Sequence, residues 1–195
     1  MENSASEIVA ILLAAGAGSR FGGDKLLHPL PDGVAIGAHA ARNLLAAGLG
    51  VTAVVRPGDF PLADMLEQEG CQVTVCRDAA RGMAASLAHG IAETRSAAGW
   101  VVALGDMPAI RPETVAGVVR ALREGAEIAA PAYHGERGHP VGFSARFRDE
   151  LLALSGDSGA RAVLQRNAAR VRLIDSGDPG VLHDIDRRED VQSPL

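Results

Sequence analysis

The feature of this sequence that most restricts its fold is an alternation of short apolar runs with segments of helical periodicity. Four apolar runs have the length and composition of β-strands buried on both faces, and two weaker runs follow; they are residues 8–14, 51–55, 71–76, 100–104, 128–131 and 171–174. Segments with helical periodicity separate or follow them, at residues 34–47, 60–69, 83–94, 112–124, 146–154 and 159–167. This alternation predicts one α/β domain over residues 1–195, with a mostly parallel sheet and helices on both faces. We expect residues 132–145, which are rich in Gly and His, to form an insertion or hairpin at the rim of that domain.

The composition is that of a globular protein, and it excludes several classes of function. Hydrophobic residues make up 47% of the chain and charged residues 22%, close to the averages for globular domains. The net charge of −5 argues against a nucleic-acid-binding surface, which needs clustered Lys and Arg. No apolar run approaches the roughly 18 residues of a membrane span, and the N-terminal residues are too polar for a secretory signal. We therefore expect a cytoplasmic protein that binds neither nucleic acid nor membrane.

The cysteines and histidines do not predict a disulfide or a zinc site. Cys71 and Cys76 flank one apolar run, and if that run is a strand their Cα atoms lie about 16 Å apart, beyond disulfide reach. We therefore expect two buried free thiols. The histidines have no metal-ligand spacing with these cysteines or with one another. No serine lies in a nucleophile elbow, so hydrolysis by a Ser-His-Asp triad is not predicted.

The loop after the first strand carries the residues of a phosphate-binding site. In open α/β sheets, ligands bind at the carboxyl ends of the strands, so residues 15–25 and 105–107 are the places where chemistry is expected. Backbone N–H groups of a glycine-rich loop can surround phosphate oxygens, and Arg20 and Lys25 add positive charge. The same residues without a ligand would form a flexible loop with two solvated cations. The glycines of this loop are Gly16, Gly18, Gly22 and Gly23.

Two common phosphate-binding motifs do not fit this loop, and a third pattern does. Phe21 occupies the last glycine position of the dinucleotide fingerprint, and Lys25 is not followed by Ser or Thr as the Walker motif requires. The pattern GxGxRxGxxK after a strand ending in LAA is complete, from Gly16 to Lys25. It resembles the signature of nucleotidyltransferases that transfer a nucleoside monophosphate from an NTP.

An acidic residue follows the fourth strand. Asp106 stands in the segment ALGDMP, where a carboxylate can hold Mg²⁺ or cap a turn. The segment resembles the DMP motif of the molybdenum-cofactor nucleotidyltransferases, in which the Asp binds the metal. Four further segments are similar to motifs of that family in the same order: RGMAASL, RGHPVGF, GDSGAR and DIDRREDV, at residues 81–87, 137–143, 156–161 and 184–191. The chain thus resembles the molybdenum cofactor cytidylyltransferase-like family over nearly its whole length, with Arg187 and Arg188 where the family usually has Thr-Pro.

The resemblance implies a fold, a reaction and a cofactor. The fold would be a Rossmann-like three-layer domain of the nucleotide-diphospho-sugar-transferase type. The reaction would be the Mg²⁺-dependent transfer of CMP from CTP to the terminal phosphate of molybdenum-bound molybdopterin, with release of pyrophosphate. The product would be passed to a molybdenum hydroxylase. The N-terminal half would bind the nucleotide, and residues 132–165 would form the acceptor side.

The resemblance also implies roles for individual residues. Arg20, Lys25 and Asp106 would be catalytic, and Asp106 and Asp186 would hold the metal. The nucleotide-binding residues would be Leu13, Ala14, Ala15, Gly16, Ala17, Gly18, Ser19, Arg20, Lys25, Gly82, Met83 and Ser86. The acceptor-binding residues would be Gly138, His139, Pro140, Asp157, Gly159 and Arg161.

Several alternatives remain at the level of the sequence. The protein could be a guanylyltransferase or another nucleotidyltransferase with a different phosphorylated acceptor, a non-catalytic protein that binds nucleotide or cofactor, or a relative recruited to oxidoreduction. Asp186 and Glu189 also fit a D-x-x-E cap of the last helix. His139 also fits a hydrogen-bonded turn residue before Pro140.

Overall fold

Eight strands and six α-helices make up the structure, a computed structural model that describes residues 7–156 and 159–192. The strands are β1 (Ile8–Leu13), β2 (Val51–Val55), β3 (Gln72–Val75), β4 (Gly99–Leu104), β5 (Ile128–Tyr133), β6 (Glu136–Arg137), β7 (Val141–Ser144) and β8 (Val171–Asp175). The α-helices are α1 (Ile36–Ala46), α2 (Phe60–Gln68), α3 (Met83–Glu93), α4 (Pro112–Arg123), α5 (Arg148–Leu152) and α6 (Arg161–Arg166). Every predicted strand and helix is present, and α5 and α6 are shorter than predicted. The predicted α/β fold class is confirmed.

The strands form one mixed sheet in the order β3-β2-β1-β4-β7-β5, with β6 and β8 both paired to β5. β1 pairs in parallel with β2 and β4, β2 with β3, and β5 with β8. β7 runs antiparallel between β4 and β5. The sheet is therefore mostly parallel, and the carboxyl ends of β1, β2, β3 and β4 meet at one edge.

The expectation of a rim hairpin at residues 132–145 is only partly right. β6 does form a short hairpin with the end of β5, but β7 lies inside the sheet. Val141 and Phe143 of β7 are buried, whereas this part of the chain was expected at the surface. Gly142 allows this placement because a Cβ there would lie 2.7 Å from Cγ1 of Val118 on α4. Gly142 is thus required by helix packing inside the sheet, whereas the Gly and His content of residues 132–145 predicted a segment at the rim.

The core lies in two layers on opposite faces of the sheet. Ala10 and Leu12 of β1 pack in one cluster with residues of α1, α2 and α4. Ile11, which points to the other face, packs in the second cluster with residues of α3, α5 and α6. Alternate residues of one strand thus face different helical layers, as a strand buried on both faces requires. The predicted three-layer arrangement is confirmed.

α3 packs close enough to the sheet to bring its first turn to the carboxyl edge. Gly90 makes this possible, because a Cβ at that position would lie 2.7 Å from Cγ2 of Ile11.

The free cysteines are both buried, and burial raises the pKa of the Cys71 thiol to about 11. Across the described ranges, no helix is long and apolar enough to cross a membrane.

The chain returns over the carboxyl edge of the sheet after β8. Asp178 is buried and accepts hydrogen bonds from the Arg111 and Gly180 amides and from the Thr114 hydroxyl, at 2.9, 2.9 and 2.7 Å. It therefore ties the returning segment to the start of α4.

The last turn of helix, a 3₁₀ helix at Arg188–Gln192, is not capped by the predicted pair Asp186 and Glu189. The Asp190 carboxylate instead accepts from the amides of Asp186 and Arg187, at 2.9 and 2.7 Å. The Asp186 carboxylate is engaged elsewhere, by cations of the glycine loop.

Candidate active site

The glycine loop is folded around the carbonyl of Gly18. This oxygen accepts the amides of Phe21 and Gly23, at 3.0 and 3.3 Å, and so closes the turn. Gly18 has a φ of 58°, in the left-handed region, and a Cβ there would lie 3.2 Å from Cβ of Lys25. Both facts favour glycine at this position, because a side chain would strain the turn and crowd the lysine.

The position of Lys25 is fixed by the packing of a buried leucine next to it. It begins a single 3₁₀ turn, Lys25–Leu27, whose middle residue Leu26 is buried. Leu26 packs so closely against Gly105 that a Cβ on that glycine would lie 3.0 Å from Cδ1 of Leu26. The leucine therefore fixes the turn directly above the end of β4, beside Asp106.

Three carboxylates meet opposite the glycine loop. Oxygens of Asp106, Asp184 and Asp186 all lie within 4.8 Å of one another. Asp106 follows β4, and the other two come from the returning segment, which is joined to it by a 2.9 Å hydrogen bond from the Ile185 amide to the Asp106 carbonyl. The sequence prediction included Asp106 and Asp186 but missed Asp184. Its signal was the alternation D-I-D, in which buried Ile185 separates two acids that can face the same side.

Cations of the glycine loop already pair with these carboxylates. Nζ of Lys25 lies 2.7 Å from Oδ2 of Asp106 and 3.6 Å from Oδ1 of Asp186. Nη1 of Arg20 lies 2.8 Å from Oδ2 of Asp186. The hydrogen bond from Arg20, together with the charge of Lys25, holds the pKa of the Asp186 carboxyl below its ordinary value. The three predicted catalytic residues are thus brought together with the predicted metal ligands.

A cleft of about 860 Å³ runs from this cluster to the first turn of α3. Its volume is in the range of about 300–1,000 Å³ typical of small-molecule sites. A smaller adjoining pocket is lined by Gly18 and Lys25 together with Gly16, Ala17 and Asp106. The predicted residues that line the large cleft are Leu13, Ala15, Gly16, Ala17, Ser19, Arg20, Gly82, Met83, Ser86 and Asp106.

One predicted nucleotide-binding residue lies below the cleft. Ala14 is buried, and its amide donates to the Val54 carbonyl at 2.9 Å, so it continues the sheet. The amides of residues 15–20 differ, because within the described part of the chain they donate to no protein acceptor. These are the N–H groups that the sequence predicted to surround phosphate oxygens.

Two arginines in the cleft were missed from the sequence. Arg56 and Arg77 both line it. Arg56 directly follows β2, and Arg77 lies two positions after the end of β3. Nη1 of Arg56 donates to the Gly16 carbonyl at 3.3 Å, and its Nη2 lies 2.9 Å from Oδ2 of Asp59. The rule that ligands bind at the carboxyl ends of strands, applied to β2 and β3 as well as to β1 and β4, would have found them.

His139 lies in the turn between β6 and β7, where its amide donates to the Val181 carbonyl at 2.9 Å. The ring is largely buried, and its Nδ1 has no hydrogen-bond partner among the described residues. Burial, helped by the charge of Arg137, lowers the pKa of the imidazole to about 4, against a smaller raising effect of Asp106. The ring is therefore neutral at pH 7. Gly138 is required beside it, because a Cβ there would collide with Val181.

The other predicted acceptor residues are distributed around the site. Pro140 lines a small cavity with Met107 behind the acidic cluster. Gly159 packs against Met83, so closely that a Cβ would lie 3.0 Å from Sδ of Met83. Arg161 lies away from the large cleft and lines, with Arg137, a surface depression of about 410 Å³. Asp157 lies outside the described residues.

An arginine that departs from the family pattern contacts the glycine loop. The guanidinium of Arg188 lies 5.1 Å from the centroid of the Phe21 ring, a distance at which a cation–π interaction is favourable. Its neighbour Arg187 contributes a backbone amide to the cap by Asp190. The returning segment is thereby attached to the loop as well as to β4.

Two known proteins are similar in sequence to nearly the whole chain. Nicotine blue oxidoreductase of Paenarthrobacter nicotinovorans is 31% identical over 192 residues, 93% of this chain and 93% of that protein. Purine catabolism protein PucB of Bacillus subtilis (strain 168) is 28% identical over 194 residues, 94% of this chain and 93% of that protein.

Solved structures and a family model agree with these relatives. The crystal structure of Rv0371c from Mycobacterium tuberculosis H37Rv matches with a TM-score of 0.83 and 29% identity over 95% of both chains. Rv0371c in complex with manganese matches with a TM-score of 0.79 and 26% identity over 94% of this chain and 95% of that one. The model of the MobA-like NTP transferase domain matches residues 10–171. The chain therefore belongs to the MobA-like NTP transferase family, and it is an enzyme of the nucleotidyltransferase class.

Proposed function

We propose that the protein transfers CMP from CTP to the terminal phosphate of molybdenum-bound molybdopterin, with Mg²⁺ as cofactor and pyrophosphate as the leaving product. The observation that carries the proposal is the joint position of Lys25 and Arg20 between a loop of unpaired amides and a cluster of three carboxylates. The choice of cytidine and of molybdopterin rests on the RGHP and GDSGAR segments, which resemble those of the cytidylyltransferase branch.

The carboxylates fit a divalent cation. Asp106, Asp184 and Asp186 offer oxygen ligands within 4.8 Å of one another, and oxygen ligands are the ones that Mg²⁺ prefers. The relative Rv0371c has been solved in complex with manganese, a divalent ion of similar preference. When bound, the metal would neutralise phosphate charge and align the reacting groups.

The loop residues would bind the triphosphate. The amides of residues 15–20 have no acceptor among the residues that the structure describes, so phosphate oxygens would satisfy them. Arg20 and Lys25 would turn from the carboxylates to the phosphates and stabilise negative charge on the leaving pyrophosphate. In the reaction, an oxygen of the acceptor phosphate forms a bond to the α-phosphorus. The bond from the α-phosphorus to the bridging oxygen breaks, and its electron pair leaves with pyrophosphate.

The opposite wall of the cleft would hold the nucleobase. Gly82 precedes α3 with a φ of 115°, so the chain turns sharply at the cleft before the helix begins. Met83 is about 44% exposed and lines the cleft, so it offers an apolar surface to a planar ring. Ser86 is buried one turn further and lines the same wall.

The acceptor would approach from the side of His139 and Gly159. A neutral imidazole beside Asp106 can exchange hydrogen bonds with an acceptor without adding charge. Gly159, packed on Met83, connects this side to the nucleobase wall. The predicted division into an N-terminal nucleotide half and an acceptor region at residues 132–165 remains part of this proposal.

A second candidate is redox chemistry on the same fold, because a relative with 31% identity has the name of an oxidoreductase. The dinucleotide fingerprint is absent from the glycine loop, which favours nucleotidyl transfer. Absorbance of NAD(P)H in the presence of candidate acceptors separates this activity from release of pyrophosphate.

The first test is thermal stability with each of the four NTPs, with and without Mg²⁺. A ligand at 100 times its dissociation constant stabilises the folded state by about 2.7 kcal/mol, which moves the midpoint by roughly 5–11 °C for a domain of this size. A shift with CTP and Mg²⁺ supports the proposal, and pyrophosphate release with the molybdopterin acceptor then tests transfer. A shift with GTP alone would move the protein to the guanylyl branch. If no NTP shifts the midpoint, the proposed reaction is refuted.

A further inference from the structure

We propose that Arg56 is a positioning residue of the phosphate-binding loop, which it holds through the backbone carbonyl of Gly16. The inference rests on the proposed function, in which the loop amides bind the triphosphate. Arg56 belongs to no motif singled out from the sequence, and it acts through the loop backbone rather than on the reacting atoms.

The loop has little other support where Arg56 touches it. An ideal Cβ on Gly16 would meet no atom within 4 Å, and both Gly16 and Ala17 are exposed. The strand ladder ends with the amide of Ala14, and the next turn begins at the carbonyl of Gly18. For the backbone of residues 15–17, the described residues provide one hydrogen bond, which is the bond from Arg56 to the Gly16 carbonyl.

The orientation of Arg56 is itself fixed by α2. Its Nη2 lies 2.9 Å from Oδ2 of Asp59, the residue that precedes this helix, and the Asp59 side chain is only 9% exposed. Nη1 and Nη2 belong to one rigid planar guanidinium, so fixing one nitrogen also fixes the direction of the other. The Arg56–Asp59 ion pair therefore fixes the Gly16 carbonyl relative to the start of α2. A lysine at position 56 would keep the charge but could not maintain both contacts in this geometry.

Holding the Gly16 carbonyl also sets the direction of a phosphate donor. In a trans peptide the carbonyl oxygen and the following N–H point in opposite directions. The bond to Arg56 therefore turns the Ala17 amide away from the guanidinium. A loop that is already oriented loses less conformational freedom when a triphosphate binds, which raises affinity. Arg56 should thus strengthen phosphate binding.

A direct contact between Arg56 and phosphate is the competing explanation, since the side chain lines both the cleft and the adjoining pocket. The two explanations predict opposite effects for Asp59→Asn. If Arg56 acts by positioning, loss of the carboxylate releases the guanidinium and weakens phosphate binding. If Arg56 binds phosphate directly, the same substitution frees its charge and strengthens binding.

The experiment is calorimetric titration of the full chain with magnesium tripolyphosphate, and with magnesium CTP, for wild type, Arg56→Lys and Asp59→Asn. We expect about a tenfold loss of tripolyphosphate affinity for Arg56→Lys and a smaller loss for Asp59→Asn, with little change in thermal midpoint. Arg56→Ala should regain binding when millimolar guanidinium is added. Arg172→Lys is the matched control, because Arg172 forms a surface pair with Glu124 at 3.1 Å and should bind like wild type.

Each outcome separates the inference from the proposed function. Wild-type affinity in Arg56→Lys overturns the positioning role. Tighter binding in Asp59→Asn also overturns it and assigns Arg56 a direct contact. If the wild type binds neither tripolyphosphate nor any NTP, the proposed function fails and the inference fails with it.

Discussion

Replacement of Arg20 by Gln should make the protein without nucleotide bind Mn²⁺ more tightly. Within residues 7–156 and 159–192, Arg20 and Lys25 are the two cations that pair with the predicted metal ligands, and Nη1 of Arg20 lies 2.8 Å from Oδ2 of Asp186. A divalent ion must compete with these cations for the same oxygens. Removing one of them leaves the three carboxylates with a larger net negative charge.

The size of the effect follows from Coulomb's law with strong solvent screening. Two unit charges 4 Å apart in water interact by about 1 kcal/mol, and a divalent ion doubles this. The Arg20 side chain is 75% exposed, so solvent and salt reduce the repulsion to about 0.7–1.4 kcal/mol. Such a difference corresponds to roughly three- to tenfold in affinity.

The assay is electron paramagnetic resonance of free Mn²⁺ during titration of the protein at constant ionic strength. Arg146→Gln is the control, because Arg146 is 70% exposed and pairs with Glu127 at 3.0 Å. The same Arg20→Gln variant should bind magnesium CTP more weakly, since a cation of the proposed phosphate site is lost. Unchanged or weaker Mn²⁺ binding in Arg20→Gln would refute the competition between these cations and the metal.

Three further predictions concern turnover and stability. Lys25→Ala should lower the rate of pyrophosphate release by at least about 100-fold without unfolding the protein, and near-normal turnover would remove Lys25 from the reaction. Asp178→Ala should lower the free energy of unfolding by about 3 kcal/mol, because three donors lose their buried acceptor; urea denaturation measures this. Because the folded pKa of His139 is about 4 against an ordinary 6.5, an unfolded chain takes up this proton first as pH falls. Stability should therefore drop by about 3 kcal/mol from pH 6.5 to 4, and His139→Gln should lose that part of the slope.

The sequence predicted the parts of the fold and site that depend on local pattern. Continuous apolar runs identified the strands because a strand covered on both faces has no polar side. The spacing of the glycine loop identified Arg20 and Lys25, and the position after a buried strand identified Asp106. These residues lie in the loops that follow β1 and β4, so their place at the edge of the sheet follows from the strand assignment.

The features that the sequence did not predict depend on contacts between distant segments. β7 was missed because the Gly and His content of residues 132–145 suggests a rim hairpin until the packing of α4 on Gly142 is known. The cap by Asp190 was missed because the carboxylate of Asp186 is drawn to Arg20, 166 positions away. The role of Arg56 depends on Asp59 and Gly16 together, and no local pattern specifies that pair.

The glycine loop and the returning segment are far apart in sequence, which determines the order in which the parts of the site are synthesised. Arg20 and Asp186 are 166 positions apart, and Asp184 is nearly as far from the loop. At about 5–20 residues per second, a ribosome needs roughly 8–33 seconds to make the chain between them. During that time the growing chain has the cationic loop and at most one of the three carboxylates, Asp106. A chain halted before Asp184 would therefore keep the amides of the proposed phosphate site but lack two of the three carboxylates of the proposed metal site, so the proposed metal site is completed last in synthesis.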